Sequence, residues 1–254
     1  MKKIFKASLI SCALALSLNA NTLTEQQEES LVKGIIPSTK VAKVERSEVD
    51  GFYKAYLENG NIFYVNPFKR VMFIGELYTN TGVSLTANDR LKWQDELTSQ
   101  QIKNFNLNEL KQYAKKIDFN KGSKKYDFIL FTDPECPYCA RVEEHFIKND
   151  VTAYINFYPL SFHKNADKWS KQLLSAKDFK SAFTELRKTQ KDLNVNISPQ
   201  AEKTLEDMKQ LGEKLNIMGT PKLIVVDKTQ NKVIDVIDGA NMSKIDSYLS
   251  KDKQ

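Results

Sequence analysis

The chain has 254 residues, 28% charged and 41% hydrophobic, an ordinary soluble composition with length enough for one large or two small domains. No internal repeat or low-complexity tract interrupts it, which excludes solenoid and disordered classes. Its formal charge of +6 falls to +3 without Lys2, Lys3 and Lys6, a modest, dispersed excess that gives no indication of nucleic-acid binding.

The first residues, Met1-Lys2-Lys3-Ile4-Phe5-Lys6, precede an apolar run from Ala7 to Leu18 and then Asn19-Ala20. This basic, apolar, small-residue order is that of a secretory signal peptide, and the run is short for a permanent membrane span. Residues 1–20 are therefore expected to be removed and the mature protein to reside in the bacterial periplasm. Leu9-Ile10-Ser11-Cys12 also matches a lipoprotein signal, with Cys12 as the lipidated residue. That is the weaker reading, because the apolar run continues past the cysteine.

Residues 21–87 are expected to form a small antiparallel β domain behind a polar, acidic start. Val41, Val44 and Val49 lead into a strand, Gly51 to Leu57, and Glu58-Asn59-Gly60-Asn61 turns it back into Ile62-Phe63-Tyr64-Val65. A further strand is expected from Val71 to Tyr78, before a turn at Asn80-Thr81-Gly82. So small a sheet would gain from burying an edge or face against a second copy. Residues 88–125 read as a helical linker, with Leu107, Leu110, Ala114 and Ile117 at helical spacing and a polar, glycine-containing close.

Residues 126–254 read as a second domain of α/β type. The continuous apolar run Tyr126 to Thr132 suits a strand buried on both faces. Asp133-Pro134-Glu135 breaks it, a helix follows from Pro137 to Asn149, and Ala153 to Tyr158 is another strand. Helix-forming sequence occupies about 165–215. Strands at Leu223–Val226 and Val233–Ile237 and a final amphipathic helix complete the domain.

With Cys12 gone, the mature chain keeps only Cys136 and Cys139. A structural disulfide stabilises by closing a long loop, and a two-residue gap closes almost none. The pair is better explained as a redox centre than as a structural bridge. At a helix start, backbone N–H groups and the helix dipole favour an anion, so Cys136 is expected to carry the lowered thiol pKa; Pro137 suits the first helical position. Cys136 would attack a substrate disulfide, and Cys139, more buried and less acidic, would resolve the mixed disulfide. The competing reading is half a zinc site. It would need His145 and His163 as further ligands, and these read better as a helix-surface and a loop residue. Gly219-Thr220-Pro221 enters the next-to-last strand, and taken alone it is a turn, proline being tolerated at a strand's first residue.

Phe131-Thr132-Asp133-Pro134-Glu135-Cys136-Pro137-Tyr138-Cys139, the Gly219-Thr220-Pro221 loop, and Tyr64-Val65-Asn66 with Gly82-Val83-Ser84-Leu85 before a linker helix together resemble the DsbC/DsbG family of the thioredoxin superfamily. The resemblance covers nearly all of the mature chain. It implies an α+β protein: an N-terminal cystatin-like antiparallel β dimerisation domain, a helical linker, and a C-terminal thioredoxin-like α/β domain with a helical insertion. It further implies a V-shaped homodimer, Pro137 and Tyr138 as redox-tuning residues, and Thr220 and cis-Pro221 as a substrate-peptide groove that keeps metals away. No cofactor beyond the redox-active Cys136–Cys139 disulfide is implied.

The function so implied is a periplasmic disulfide isomerase or reductase acting on misfolded exported proteins and kept reduced by a DsbD-like membrane electron donor. A DsbA-like dithiol oxidase recharged by a DsbB-like partner is the alternative. A reductant for haem-attachment cysteines and a holdase chaperone are further candidates. Three features depart from the family pattern: the pair encloses Pro-Tyr, as in glutaredoxins; the connector from Asn88 to Lys125 is long; and the position six before Cys136 is Leu130 where thioredoxin has a buried acid.

Overall fold

The computed structural model describes residues 23–252, so the expected signal segment, Cys12 and Asn21 lie outside the described residues. The chain divides into one unit up to Thr86 and another from Ala87.

In the first unit Thr24 opens α1 (Glu25–Ile35) with a reciprocal capping box: its hydroxyl accepts the Gln27 N–H, and the Gln27 side chain accepts the Thr24 N–H. Strands β1 (Val41–Arg46), β2 (Tyr53–Leu57), β3 (Ile62–Asn66) and β4 (Val71–Phe73) follow as an antiparallel meander in sequence order. Val32 and Ile36 pack on Tyr53, Ala55, Leu57 and Val65, so α1 covers one sheet face. On the other face Tyr64 stacks on Phe73 and its hydroxyl pairs with Thr86 at 2.6 Å. The β2–β3 turn needs Gly60 at φ 86°, a left-handed value that costs glycine nothing because it has no Cβ.

The strand expected from Val71 to Tyr78 ends at Phe73. The backbone bends at Gly75, and Tyr78 instead joins a separate narrow hairpin closed by Thr79 N–H to Val83 O at 2.9 Å. β4 is thus a three-residue edge strand. Val71, Met72, Ile74 and nearby Phe68 leave their side chains exposed.

The second unit opens with most of α2 (Leu85–Lys103), then α3 (Leu107–Lys111) and β5 (Lys115–Phe119). The linker expected to be helical over 88–125 therefore ends in a strand. Lys116 and Asp118 face outward while Ile117 and Phe119 are buried, a two-residue alternation that overrides the helical spacing of Leu110, Ala114 and Ile117. β6 (Tyr126–Thr132), α4 (Pro137–Ile147), β7 (Val151–Phe157), three helices α5 (Ala166–Ser175), α6 (Phe179–Thr189) and α7 (Pro199–Lys214), then β8 (Lys222–Asp227), β9 (Lys232–Asp238) and α8 (Met242–Asp252) complete it.

The sheet order is β5-β7-β6-β8-β9, with β6 and β7 parallel and the other pairs antiparallel. Strand β6 lies at the centre. Phe128 and Leu130 enter one core with Val142, Phe146 and Phe183, while Ile129 and Phe131 enter the other with Ile102, Leu211 and Ile224. Burial on both faces is why the run carries no polar alternation. It also fixes the end of β6, and with it the residues that follow, between two packed layers.

Candidate active site

Thr132 ends β6, and Asp133-Pro134-Glu135 carries the chain to Cys136, the N-cap residue of α4 with extended backbone (φ −71°, ψ 123°). Pro137 takes the first helical position, where its missing N–H is no loss. Cys136 and Cys139 are free thiols; Cys136 is 4% exposed and Cys139 fully buried.

The two sulfurs differ sharply. Cys136 is pulled from the ordinary 9.0 to about 5, chiefly by the hydrogen bond from the Cys139 thiol and then by the backbone N–H groups of Cys139 and Tyr138, against the opposing effect of burial. The pKa of Cys139 is pushed far upward by burial first, then by its bond to Cys136 and by the negative charge of Glu143. The Thr220–Pro221 peptide is cis, and the Thr220 carbonyl lies 3.6 Å from the Cys136 sulfur. The residues singled out in the sequence, Cys136, Pro137, Tyr138, Cys139, Thr220 and Pro221, thus come together from the α4 start and the loop before β8.

Behind the cysteines lies a buried polar cluster that the sequence reading missed. Glu143, one helical turn beyond Cys139, is fully buried and accepts a hydrogen bond from the Thr132 hydroxyl. Arg187 of α6 pairs with the same carboxylate, its Nη2 donating to Glu143 Oε1 at 2.8 Å. It also donates to the backbone carbonyls of Pro134 and, at 3.0 Å, of Asp133. Burial raises the Glu143 pKa while Arg187 opposes that rise. One arginine from the helical insertion therefore ties down the active-site loop and a buried acid together. The available signal was a charged residue on the apolar face of each helix: Glu143 among Cys139, Val142 and Phe146, and Arg187 beside Phe183 and Leu186.

The loop after β7 closes the outer side. Buried Asp133 accepts from the Glu135 and Leu160 N–H groups, both at 2.7 Å, and its Oδ2 lies 2.8 Å from His163 Nδ1. Glu135 in turn accepts from the Asn165 N–H at 2.5 Å. His163 is thus a loop residue bound to the active-site turn. His145 lies on α4, where its Nε2 is 2.6 Å from Asp246. Phe162, Tyr138 and Met218, carried by these three converging segments, are exposed apolar side chains.

Two family models match: the disulfide bond isomerase protein N-terminal domain over residues 20–87 and the thioredoxin-like domain over residues 113–250. The chain is 30% identical over 112 residues to a probable thiol:disulfide interchange protein DsbC of Bordetella avium; the match covers 43% of this chain and spans only 39% of the relative's length. Among solved structures, a disulfide interchange protein from Neisseria gonorrhoeae aligns at TM-score 0.46 and 24% identity, over 59% of this chain and 99% of that one. The catalytic domain of Proteus mirabilis ScsC aligns at TM-score 0.45 and 21% identity, over 57% and 93%.

Proposed function

Because the chain belongs to the DsbC/DsbG family of thioredoxin-like thiol:disulfide interchange proteins, we propose that it is a periplasmic oxidoreductase acting as disulfide isomerase or reductase on misfolded exported proteins. The observation that carries this reading is the asymmetry of the thiols: an acidified Cys136 at a helix start and a buried, strongly proton-retaining Cys139 one turn on. Cys136 attacks a substrate disulfide and one substrate sulfur leaves as thiolate. The resulting mixed disulfide rearranges within the substrate or is resolved by Cys139. Pro137 and Tyr138 tune the pair, Thr220 and Pro221 receive the substrate chain, and no cofactor beyond the cysteine pair takes part.

The protein acts as a homodimer joined through its first unit. The short β4 edge with exposed Val71, Met72 and Ile74 supports this, since apolar residues around an unpaired edge gain from a second copy. A DsbD-like membrane donor keeps Cys136 reduced. One observation favours a second reading, a DsbA-like oxidase recharged by a DsbB-like partner: a thiolate stabilised down to about 5 also stabilises the reduced pair, which makes the disulfide a stronger oxidant.

Recovery of scrambled multi-disulfide substrate by the full chain, lost in Cys136→Ser, tests the isomerase. Thiol trapping in cells separates the two directions. A mostly reduced pair supports the isomerase, and a mostly oxidised pair overturns it in favour of the oxidase. Light scattering of the mature chain tests the dimer.

A further inference from the structure

Thr220 reaches Cys136 from a loop whose two ends are anchored by different parts of the second unit. On its downstream side Lys222, the first residue of β8, is only 3% exposed. Alternation along the strand turns it to the same face as Ile224 and Val226, the face covered by Ile102 and Leu211. A cation at the end of that apolar row needs countercharge. It has two sources: Asp238, its cross-strand partner on β9, and Asp95 of α2, whose Oδ1 lies 3.4 Å from the Lys222 Nζ. The Gly239 N–H also donates to the Pro221 carbonyl at 2.9 Å.

On the upstream side the chain leaves α7 through Leu215, Asn216 and Ile217, and α2 holds this stretch too. The Thr98 hydroxyl donates to the Asn216 carbonyl at 3.5 Å, and the Gln101 side-chain amide donates to the Lys214 carbonyl at 2.8 Å. Lys214 Nζ pairs in turn with Glu109 of α3 at 2.9 Å. Asp95, Thr98 and Gln101 recur at three-residue spacing, which sets them along one side of the helix. From the loop after β7, Tyr158 lies against Gly212, where a Cβ would come within 2.5 Å of its ring. The connector whose length departs from the family pattern thus devotes one side of α2 to both ends of a single loop. Between those ends Met218 stands exposed.

We propose that α2 braces the substrate-receiving loop, with Lys222, pinned by Asp95, as the residue that positions Thr220 and Pro221 against Cys136. The proposal rests on the reading of Thr220 and Pro221 as the groove for the substrate chain, and it adds what holds that groove in place. The Thr220 carbonyl stands 3.6 Å from the Cys136 sulfur. A peptide lying along this loop presents its disulfide to Cys136 only while the loop keeps that distance, and any shift of Lys222 reaches Thr220 across two peptide units. Asp238 ties Lys222 to a strand of the same sheet, whereas Asp95 ties it to the connector. Without the Asp95 charge Lys222 keeps Asp238, so the buried cation stays paired while α2 loses its hold on the downstream end of the loop.

The test compares two substrates of the full chain, turned over with a small dithiol in excess: a disulfide-bonded peptide long enough to lie along the loop, and an aromatic disulfide with no peptide backbone. In Asp95→Asn the KM for the peptide should rise about tenfold, roughly the contribution of one backbone hydrogen bond in the groove. With kcat unchanged, that is the mark of lost substrate binding. The rate with the aromatic disulfide and the midpoint of the Cys136 thiolate titration should match the wild type. Asp95→Glu keeps the charge and should recover most of the lost affinity. Gln101→Ala removes one exposed contact and should raise the peptide KM by a smaller factor, which decides the matter if Asp95→Asn does not fold. A purely structural role would lower the unfolding temperature without altering the preference for the peptide. Folded variants whose preference for the peptide equals the wild type's therefore overturn the brace, as does loss of both substrates in proportion. A wild-type chain that gains nothing from the peptide overturns the groove reading instead, and one that turns over neither substrate overturns the redox reading.

Discussion

The acidity of Cys136 has a kinetic signature that can be worked out in advance. Its pKa stands at about 5 against an ordinary 9.0. At pH 7 an ordinary thiol of that kind is about 1% thiolate and Cys136 about 99%, a roughly hundredfold gain in reactive form. Intrinsic nucleophilicity falls as the pKa falls, with a Brønsted slope of about 0.4–0.5, so four units cost roughly 40–100-fold. The two effects nearly cancel at pH 7, and Cys136 should be no faster there than a cysteine in an unstructured peptide. At about pH 5.5 the peptide thiolate has almost vanished, and Cys136 should be faster by roughly thirtyfold. Near pH 9 it should be slower by about the same factor. Stopped-flow reaction of the reduced chain with an aromatic disulfide, run beside the peptide from pH 4 to 9, reads both curves. Cys139→Ala removes the largest contribution to the acidity, the hydrogen bond from the Cys139 thiol, and should move the midpoint upward. A Cys136 curve that climbs in parallel with the peptide's, with no crossing, would refute the reasoning.

Arg187→Met should leave the fully buried Glu143 without a countercharge and the Asp133 and Pro134 carbonyls without their donor. Breaking a buried pair in this way costs about 3–5 kcal/mol, which at a slope of about 2–3 kcal/mol per molar urea lowers the unfolding midpoint by roughly 1–2.5 M. Glu143 is an acid whose folded pKa is already raised, and loss of Arg187 raises it further, so the native state keeps the proton longer than the unfolded chain. The loss should therefore be smallest in acid and grow as pH rises above the ordinary carboxylate range; a loss larger at pH 4.5 than at pH 7 contradicts the assignment. For His163, burial works against the charged imidazole, but the hydrogen bond and charge of Asp133 outweigh it and raise the pKa. The stability from this pair is full below the ordinary imidazole value, about 6.5, and is lost as pH rises through the higher folded one. Asp133→Asn should bring the His163 midpoint down in an NMR titration, and an unmoved midpoint would show that Asp133 is not its cause.

The parts of this architecture legible in the sequence are those encoded by neighbours in the chain. A run buried on both faces reads as apolar wherever it occurs, so β6 needed no partner to be recognised, and Cys136-Pro137 announces a helix start by local chemistry alone. Periodicity misled where two periods coincide. Leu110, Ala114 and Ile117 fit a helix, but the exposed lysine and aspartate between the buried residues of Lys115–Phe119 follow the two-residue period of the strand that forms. The polar cluster was illegible for a different reason. Arg187 stands 44 residues from Glu143 and His163 30 from Asp133, and their pairing exists only once α6 and the loop after β7 pack against the α4 start. Glu143 and Arg187 nevertheless left a trace, a charge on a helix face otherwise apolar, and such a charge demands a partner because an unpaired buried ion is not tolerated.

The acidity of Cys136 bears on the direction of electron flow. At pH 7 the acidity of Cys136 favours the reduced pair by about two powers of ten over ordinary thiols, equivalent to about 60 mV toward an oxidant. Thermodynamics of the thiol pair alone therefore leans toward donating disulfides, while the family resemblance leans toward isomerisation. The two are compatible if access decides. The periplasm is held oxidising kinetically, by delivery through particular partners, and not by a redox buffer. A protein with a stable thiolate stays reduced there so long as the oxidising partner cannot reach Cys136 and a reducing one can. The chemistry of Cys136 sets how readily it exchanges, and the partners admitted to it set which way.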